Sequence, residues 1–358
     1  MLDPSGQFTA DPRFPVDLDD GDLLGLHRDM VLVRQLDTTA TALQQQGELG
    51  LWASSRGQEA IGVGLAAAVA PSDMVFPSYR EHALAWCRGV GISGILGLFR
   101  GITNGGWDPA AVGLAVPSIV IGAQVLHAVG YAMGQQLDGG GEATAVVFGD
   151  GASSQGDTLE AMVWAASFEA PVVLLCINNG WAISVPAARQ SRIPLAQRAR
   201  GFGFPGLRVD GNDVLAMYAV ARAALDYART GGPVLIEAVT YRMAAHTTAD
   251  DDMRYRTRAE VDQWQERDPI SRLTAHLVDC GLLDDGALAE LQHESQRLAE
   301  AVRHEVRTMP MPDVRTLGRH AYASDTRASL VPAGVPVAPP APAVDSAVRA
   351  TALSAAHG

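Results

Sequence analysis

Residues 143–180 read ATAVVFGDGASSQGDTLEAMVWAASFEAPVVLLCINNG, and this stretch decides the fold. It contains two continuous apolar runs, at 143–148 and 171–177, each of a length typical of a buried strand. Residues 157–168, between the runs, form a helical pattern. A strand, a helix and a second strand in this order predict two parallel strands joined by a crossover. Because both strands are apolar throughout, we expect helices to cover both faces of their sheet.

The same alternation of short strands and helices continues on either side of this stretch. Further helices are predicted at 21–46, 60–69, 122–137, 214–229 and 284–307, and further strands at 207–209 and 234–240. The pattern predicts an α/β fold with a doubly wound, mostly parallel sheet and helices on both faces.

The chain is expected to divide into three segments. Residues 1–20 are predicted to form a loose N-terminal arm, and residues 21–330 the α/β domain with a helical C-terminal part. From 331 to 358 the chain is rich in proline and alanine (VPAGVPVAPPAPAV), which is typical of a disordered tail.

Composition excludes several classes of function. The 358 residues include 27 basic side chains, all of them arginine, so chemistry that needs a lysine amine is excluded. That removes P-loop phosphate binding, Schiff-base enzymes and lipoyl carriers. A net charge of −13 makes the chain a poor partner for nucleic acid or anionic membranes. Any anionic ligand must therefore be held by local arginines, backbone N–H groups or a metal ion.

The remaining global signals favour a cytoplasmic protein. The three cysteines are far apart and odd in number, so neither a disulfide framework nor a metal-ligand spacing is expected. The first residues lack the basic and apolar regions of a signal peptide. Residues 110–134 are long and uncharged, but Pro117, Ser118, Gln124 and His127 interrupt them, so we predict a loop followed by a buried helix and no membrane span.

Polar residues follow the two central strands directly, with 26 residues between Gly151 and Asn178. In an open parallel sheet, ligands bind at the carboxyl ends of the strands, so both segments should face one crevice. Asp150 offers a carboxylate oxygen and Asn179 an amide oxygen, which suit Mg²⁺ together with phosphate oxygens. Gly149 and Gly151 would let the backbone approach a diphosphate closely. Either segment alone would be read as a tight turn, but the pair favours function.

This spacing looks like the thiamine diphosphate motif. The surrounding run resembles the alpha subunit of the decarboxylating component of 2-oxo acid dehydrogenase complexes. The resemblance extends over about residues 57–255. Three further segments carry it: Gly57-Gln58-Glu59-Ala60, Pro77-Ser78-Tyr79-Arg80-Glu81-His82, and residues 241–251, which contain the run Ala245-His246-Thr247-Thr248.

The resemblance implies a role for each matching residue. Asp150, Asn179 and the backbone carbonyl of Trp181 would hold Mg²⁺. The diphosphate would be bound by Tyr79, Arg80, Gly151 and Ala152, and the aminopyrimidine by backbone groups near Ile119 and Ile121. His246 would lie beside the reacting thiazolium as a catalytic residue, able to hydrogen-bond the diphosphate, the substrate carboxylate or the incoming lipoyl group.

Two positions depart from the pattern of the family. Ile177 stands where many relatives carry an arginine to the diphosphate, so binding of the anion should depend more on Mg²⁺, Arg80 and His246. Ala123 replaces a threonine that some relatives use for a structural potassium ion, which puts that ion in doubt.

The resemblance also implies partners. In this family the acid that protonates the pyrimidine is a glutamate on a separate beta subunit, and no segment of this chain resembles the domain that carries it. We therefore expect an obligate α2β2 heterotetramer that passes its acyl product to a lipoyl-bearing acyltransferase. Residues 245–251 look closer to the branched-chain type, with 3-methyl-2-oxobutanoate as an example of its substrates, than to pyruvate or acetoin dehydrogenases, which are the alternative.

Other interpretations stay open from the residues alone. The chain could be a non-catalytic Mg²⁺/nucleotide-binding module, or a self-sufficient thiamine enzyme, although its length argues against the second. Arg189, Arg192, Arg198 and Arg200 form a basic loop that is more typical of a solvated or interface segment than of an anion site. Cys176 is predicted to be a core residue.

Overall fold

A computed structural model of the chain describes residues 1–103 and 105–313. The helices and strands of this part belong to one unit that spans Met1–Met309. The predicted tail at 331–358 lies outside the described residues, as does the end of the predicted domain at 314–330.

The five strands of the main sheet are all parallel. They are β1 Met74–Phe76, β2 Thr144–Gly149, β3 Val172–Asn178, β6 Gly206–Asp210 and β7 Val234–Val239. Their order across the sheet is β1-β2-β3-β7-β6. Two further short strands, β4 Trp181–Ala182 and β5 Val185–Pro186, form a separate antiparallel hairpin. The predicted fold class and the four predicted strands are confirmed.

Helices connect the strands and precede and follow the sheet. They are α1 Asp20–Gln45, α2 Glu59–Ala68, α3 His82–Cys87, α4 Ile92–Arg100, α5 Pro109–Val112, α6 Ala123–Leu137, α7 Gly156–Ser167, α8 Ala187–Gln190, α9 Ala199–Phe202, α10 Val214–Gly231, α11 Arg258–Gln265, α12 Pro269–Asp279 and α13 Asp285–Thr308. None of the helices in the described part of the chain combines the length and the apolar character that a membrane crossing needs.

The sheet separates two apolar cores, because successive side chains of a strand point to opposite faces. Ala145 and Val147 of β2 pack on the face covered by α1, α2, α10 and α13. Val146 and Phe148 pack on the opposite face, against α6 and α7. Cys176 of β3 is buried in this second core, as predicted. The continuous apolar runs of the sequence are thus explained by burial on both sides.

Several elements were not predicted. No strand was predicted before residue 143, whereas Met74–Phe76 pairs with β2 as an edge strand. Helices α11 and α12 follow the site segment, and the basic loop contains α8 and α9. The N-terminal arm is anchored rather than loose at its first residues. Leu2 is buried, and its backbone N–H donates to Asp213 over 2.7 Å.

Asp37 of α1 organises the segment that leads to the Gly57-Gln58 turn. Its buried carboxylate accepts hydrogen bonds from the Trp52 indole (3.0 Å), the Ser54 hydroxyl (2.6 Å) and the Ser55 N–H (2.9 Å). Trp52 itself is fully buried. One carboxylate therefore accepts hydrogen bonds from three donors that are buried away from solvent.

We expect Asp37→Ala to lower the free energy of unfolding by about 3 kcal/mol or more, because it leaves buried donors unpaired. Denaturant unfolding would measure the loss. The control is Asp20→Ala, an exposed acid at the start of the same helix, which should cost less than about 1 kcal/mol. Equal losses in the two variants would show that the hydrogen bonds of Asp37 do not hold this segment.

Candidate active site

A cavity of about 250 Å³ opens at the carboxyl ends of the central strands. Asp150, directly after β2, and Asn179, directly after β3, both line it. The register explains their proximity, because Gly149 pairs with Ile177 and β3 ends only one residue beyond β2. The crevice expected from the sequence is therefore present.

Nearly all of the residues singled out from the sequence meet at this cavity. Those that line it are Tyr79, Arg80, Ile121, Asp150, Gly151, Ala152, Asn179, Trp181 and His246. Ile119 does not line it, and its side chain is 61% exposed. Ile177, where the resemblance leads one to expect an arginine, contributes an apolar wall.

Asp150 opens a 3-10 turn, Asp150–Ser154, that bends the chain away from the sheet. One carboxylate oxygen, Oδ2, accepts a hydrogen bond from the Gln190 side-chain amide over 2.8 Å. The Ser153 hydroxyl donates to the Asp150 carbonyl over 2.6 Å and so braces the turn. Burial raises the pKa of the Asp150 carboxyl above its ordinary value. A bound cation would offset that burial and favour the ionised form.

Asn179 is followed by Gly180, whose φ of 87° lets the chain turn back toward the cavity. The Asn179 amide donates to Gln58 Oε1 over 3.3 Å, and its own oxygen accepts the Trp181 N–H over 3.4 Å. The Gln58 Nε2 atom is buried, lines the same cavity and has no hydrogen-bond partner within residues 1–103 and 105–313. It is therefore a donor free to meet a ligand.

Arg80 follows β1 and is buried at the cavity wall. Its Nη2 donates to the His246 carbonyl over 2.8 Å and approaches His246 Nδ1 at 3.3 Å. Its Nη1 donates to the Ser54 carbonyl, in the segment held by Asp37. The guanidinium also lies 5.5 Å from the centre of the Tyr79 ring. These contacts fix a permanent positive charge beside the cavity.

Arg242 belongs to the segment 241–251 and was given no role from the sequence, and the structure places it in the same wall. It follows β7 and is fully buried. Nη1 donates to the Trp181 carbonyl over 3.0 Å and lies 3.4 Å from His246 Nδ1. The signal for it was its position at the carboxyl end of a central strand. Gln58 and Gln190 gave no comparable signal, because they reach Asn179 and Asp150 only through the fold.

His246 lies between the two arginines. Burial lowers the pKa of its ring to about 4, and the positive charges of Arg80 and Arg242 act in the same direction. Since an arginine can only donate, Nδ1 must accept, and the neutral ring carries its proton on Nε2. The His246 N–H donates to Asp250 over 2.9 Å, which holds the loop in place. The ring is thus a neutral hydrogen-bonding group at neutral pH.

The donor set fits a magnesium ion bound with a diphosphate. Within the described ranges there is no cluster of three His, Cys, Asp or Glu side chains, so a metal would depend on one carboxylate together with amide and carbonyl oxygens. That set suits Mg²⁺, which keeps phosphate and water oxygens in its shell. The Trp181 carbonyl accepts from Arg242 and retains a second lone pair. Arg80, Arg242 and the unpartnered Gln58 Nε2 supply positive charge and a donor for an anion.

The family can be identified from the sequence that builds this cavity. A model of the family described as "Dehydrogenase E1 component" matches residues 27–315. The chain belongs to this family. The E1 components are thiamine diphosphate-dependent, and the membership confirms both the predicted resemblance and the prediction that the chain is part of a dehydrogenase.

Curated E1 alpha subunits are similar over most of their length. The 3-methyl-2-oxobutanoate dehydrogenase subunit alpha of Mycobacterium tuberculosis is 46% identical over 308 residues, which cover 84% of each chain. The pyruvate dehydrogenase E1 component subunit alpha of Acholeplasma laidlawii is 39% identical over 287 residues, covering 79% of this chain and 82% of its own. The Staphylococcus aureus pyruvate subunit is 38% identical over 288 residues, covering 80% and 78%.

We expect His246 to titrate near pH 4 and Arg242→Gln to raise its pKa toward the ordinary value of 6.5, because one of the two neighbouring positive charges is removed. Histidine-selective NMR would follow the ring, with His246→Gln identifying its signal. In the unfolded chain this histidine has its ordinary pKa of 6.5, so on acidification the unfolded chain takes up the proton first. The free energy of unfolding should therefore fall as the pH drops from about 6.5 toward 4. A pKa near 6.5 in the unaltered protein would contradict the described environment.

Proposed function

We propose that the chain is the alpha subunit of a branched-chain 2-oxo acid dehydrogenase. It binds Mg²⁺ and thiamine diphosphate, decarboxylates substrates such as 3-methyl-2-oxobutanoate together with a beta subunit, and passes the acyl group to a lipoyl carrier. The relative named for this substrate is 46% identical, against 39% and 38% for those named for pyruvate. A pyruvate or acetoin substrate remains the alternative.

One observation carries the proposal. Asp150 and Asn179, at the ends of neighbouring parallel strands, line a single cavity together with Arg80 and His246. An acidic turn on an unrelated nucleotide-binding sheet would not bring an amide oxygen, a carboxylate and two buried guanidiniums to the same space. The self-sufficient thiamine enzyme is disfavoured because the relatives of similar length are named as subunits.

Each residue in this proposal has a defined task. Asp150, Asn179 and the Trp181 carbonyl hold the cation, and Tyr79, Arg80, Gly151 and Ala152 bind the diphosphate. When bound, thiamine diphosphate supplies the carbanion that attacks the 2-oxo acid and the electron sink that accepts the electrons released with CO₂.

The two arginines and the neutral His246 complete the anion site. Ile177 stands in this wall where the family resemblance leads one to expect an arginine. The permanent charges of Arg80 and Arg242 compensate for the missing arginine. His246, as the catalytic residue of the proposal, offers its Nε2–H to the substrate carboxylate or the diphosphate. A neutral donor can stabilise these anions without giving up its proton.

The proposed partners are supported by the family and by the apolar side chains that the chain exposes. The loop at the cavity mouth exposes three apolar side chains, Ile119, Val120 and Ile121, at 61%, 70% and 43%. Such a patch is favourable to bury against another subunit. We assign backbone groups near Ile119 and Ile121 to the aminopyrimidine, which the beta subunit would cover. The assembly would be a cytoplasmic α2β2 heterotetramer that serves a lipoyl-bearing acyltransferase.

We expect Asp150→Ala to weaken Mg²⁺-dependent binding of thiamine diphosphate by more than about 100-fold, because the cation loses its only carboxylate. The fold should persist, since the variant removes a charge that burial disfavours. Isothermal titration calorimetry on the co-expressed heterotetramer would measure the loss. Asp157→Ala, an exposed acid in the first turn of α7, is the matched control. Unchanged binding in Asp150→Ala would refute the assignment of the metal ligand.

We expect the chain alone to show no turnover, and the pair formed with the beta subunit to decarboxylate 3-methyl-2-oxobutanoate with a higher kcat/KM than pyruvate. The reason is that half of the active site, including the acid for the pyrimidine, belongs to the partner. Release of CO₂ with an artificial electron acceptor would measure both substrates. Turnover by the chain alone would overturn the two-subunit proposal, and a preference for pyruvate would overturn only the substrate.

A further inference from the structure

The basic loop between β3 and β6 returns to the cavity and contacts the turn that carries Asp150. Helix α8 ends at Gln190, and a 3-10 turn, Leu195–Arg198, follows before the chain reaches α9. The loop was expected to be a solvated or interface segment. Arg189, Arg192 and Arg200 are exposed, as that expectation requires, but Arg198 is half-buried against the Asp150–Ser154 turn.

The Gln190 side chain has opposite partners at its two ends. Nε2 donates to Asp150 Oδ2 over 2.8 Å, and Oε1 accepts the Ser154 hydroxyl over 3.3 Å. A donor at one end and an acceptor at the other leave the amide a single favourable orientation. Since Gln190 engages Oδ2, rotation of the Asp150 carboxylate is restricted.

Arg198 holds Gln190 in turn. Nη2 donates to the Gln190 carbonyl over 3.0 Å, at the end of α8, and Nη1 donates to the Ser153 carbonyl over 2.8 Å. Ser153 hydrogen-bonds the Asp150 carbonyl. Arg198 forms no ion pair within residues 1–103 and 105–313, so its contacts there are with neutral oxygens of these two segments. A single guanidinium therefore joins the loop to the turn.

We propose that Gln190 is a positioning residue, held by Arg198, that orients the Asp150 carboxylate for the cation. This inference rests on the proposed function, since it assigns Asp150 as a metal ligand. A ligand that is already oriented loses little freedom when the ion binds, and loss of such an outer hydrogen bond typically lowers metal affinity by about 10–100-fold. Gln190 is not among the residues that line the cavity and would act through Asp150.

The experiment compares two glutamines of the same loop in the co-expressed heterotetramer. Gln190→Met keeps the length of the side chain and removes its donor, whereas Gln197→Met alters an exposed glutamine whose side chain makes no hydrogen bond within the described part of the chain. Thiamine diphosphate is held at saturation, Mg²⁺ is titrated, and cofactor binding is followed by calorimetry. Thermal unfolding without Mg²⁺ reports the stability of each variant.

We expect Gln190→Met to raise the half-saturating Mg²⁺ concentration by at least about 10-fold, with Gln197→Met unchanged. Arg198→Met should give a smaller rise in the same direction and Arg200→Met none. The melting temperature of Gln190→Met without Mg²⁺ should match that of the unaltered protein. A merely structural role of Gln190 would instead lower that melting temperature. A Mg²⁺ requirement within two-fold of the unaltered protein would overturn the inference alone. Failure of the unaltered heterotetramer to bind thiamine diphosphate with Mg²⁺ would overturn the proposed function as well.

Discussion

The pairing of two parallel strands, β2 and β3, determines the arrangement of the whole site. Gly149, the last residue of β2, lies opposite Ile177, and β3 continues for one more residue to Asn178. Asp150 and Asn179, the first residues after the two strands, line the same cavity. A shift of one residue in this pairing would turn one strand's buried side chains toward the other face of the sheet. The apolar cores on both faces resist that shift. The register of β2 and β3 therefore determines both the packing of the sheet and the positions of Asp150 and Asn179.

The remaining walls of the cavity depend on contacts between distant segments. Asp37 in α1 holds residues 52–55, Ser54 in that segment accepts from Arg80, and Arg80 reaches His246. Arg242 joins the same histidine to the Trp181 carbonyl. Arg80, His246 and Arg242 thus contact one another, which favours a site whose geometry exists before a ligand arrives.

The sequence allowed the fold class and the main site to be predicted because these depend on local patterns. Continuous apolar runs predicted β2, β3 and β7 to within one or two residues, and the polar residues that end β2 and β3 predicted the cavity. Edge strand β1 was missed, since its three residues are too few to form a periodic pattern. Helices α11 and α12 were missed in a region with many charges. Gln58 and Gln190 act through tertiary contacts, which no local pattern reveals.

The two cationic side chains that line the cavity, Arg80 and Arg242, are both guanidiniums. Their chemistry matters in a pocket that would receive a carbonyl compound. A primary amine so placed could condense with a ketone group and form an imine, whereas a guanidinium remains protonated and does not act as a nucleophile. Arg80 and Arg242 can therefore attract an oxo acid without reacting with it. Because the chain contains no lysine, no other side chain of the protein can form such an imine either.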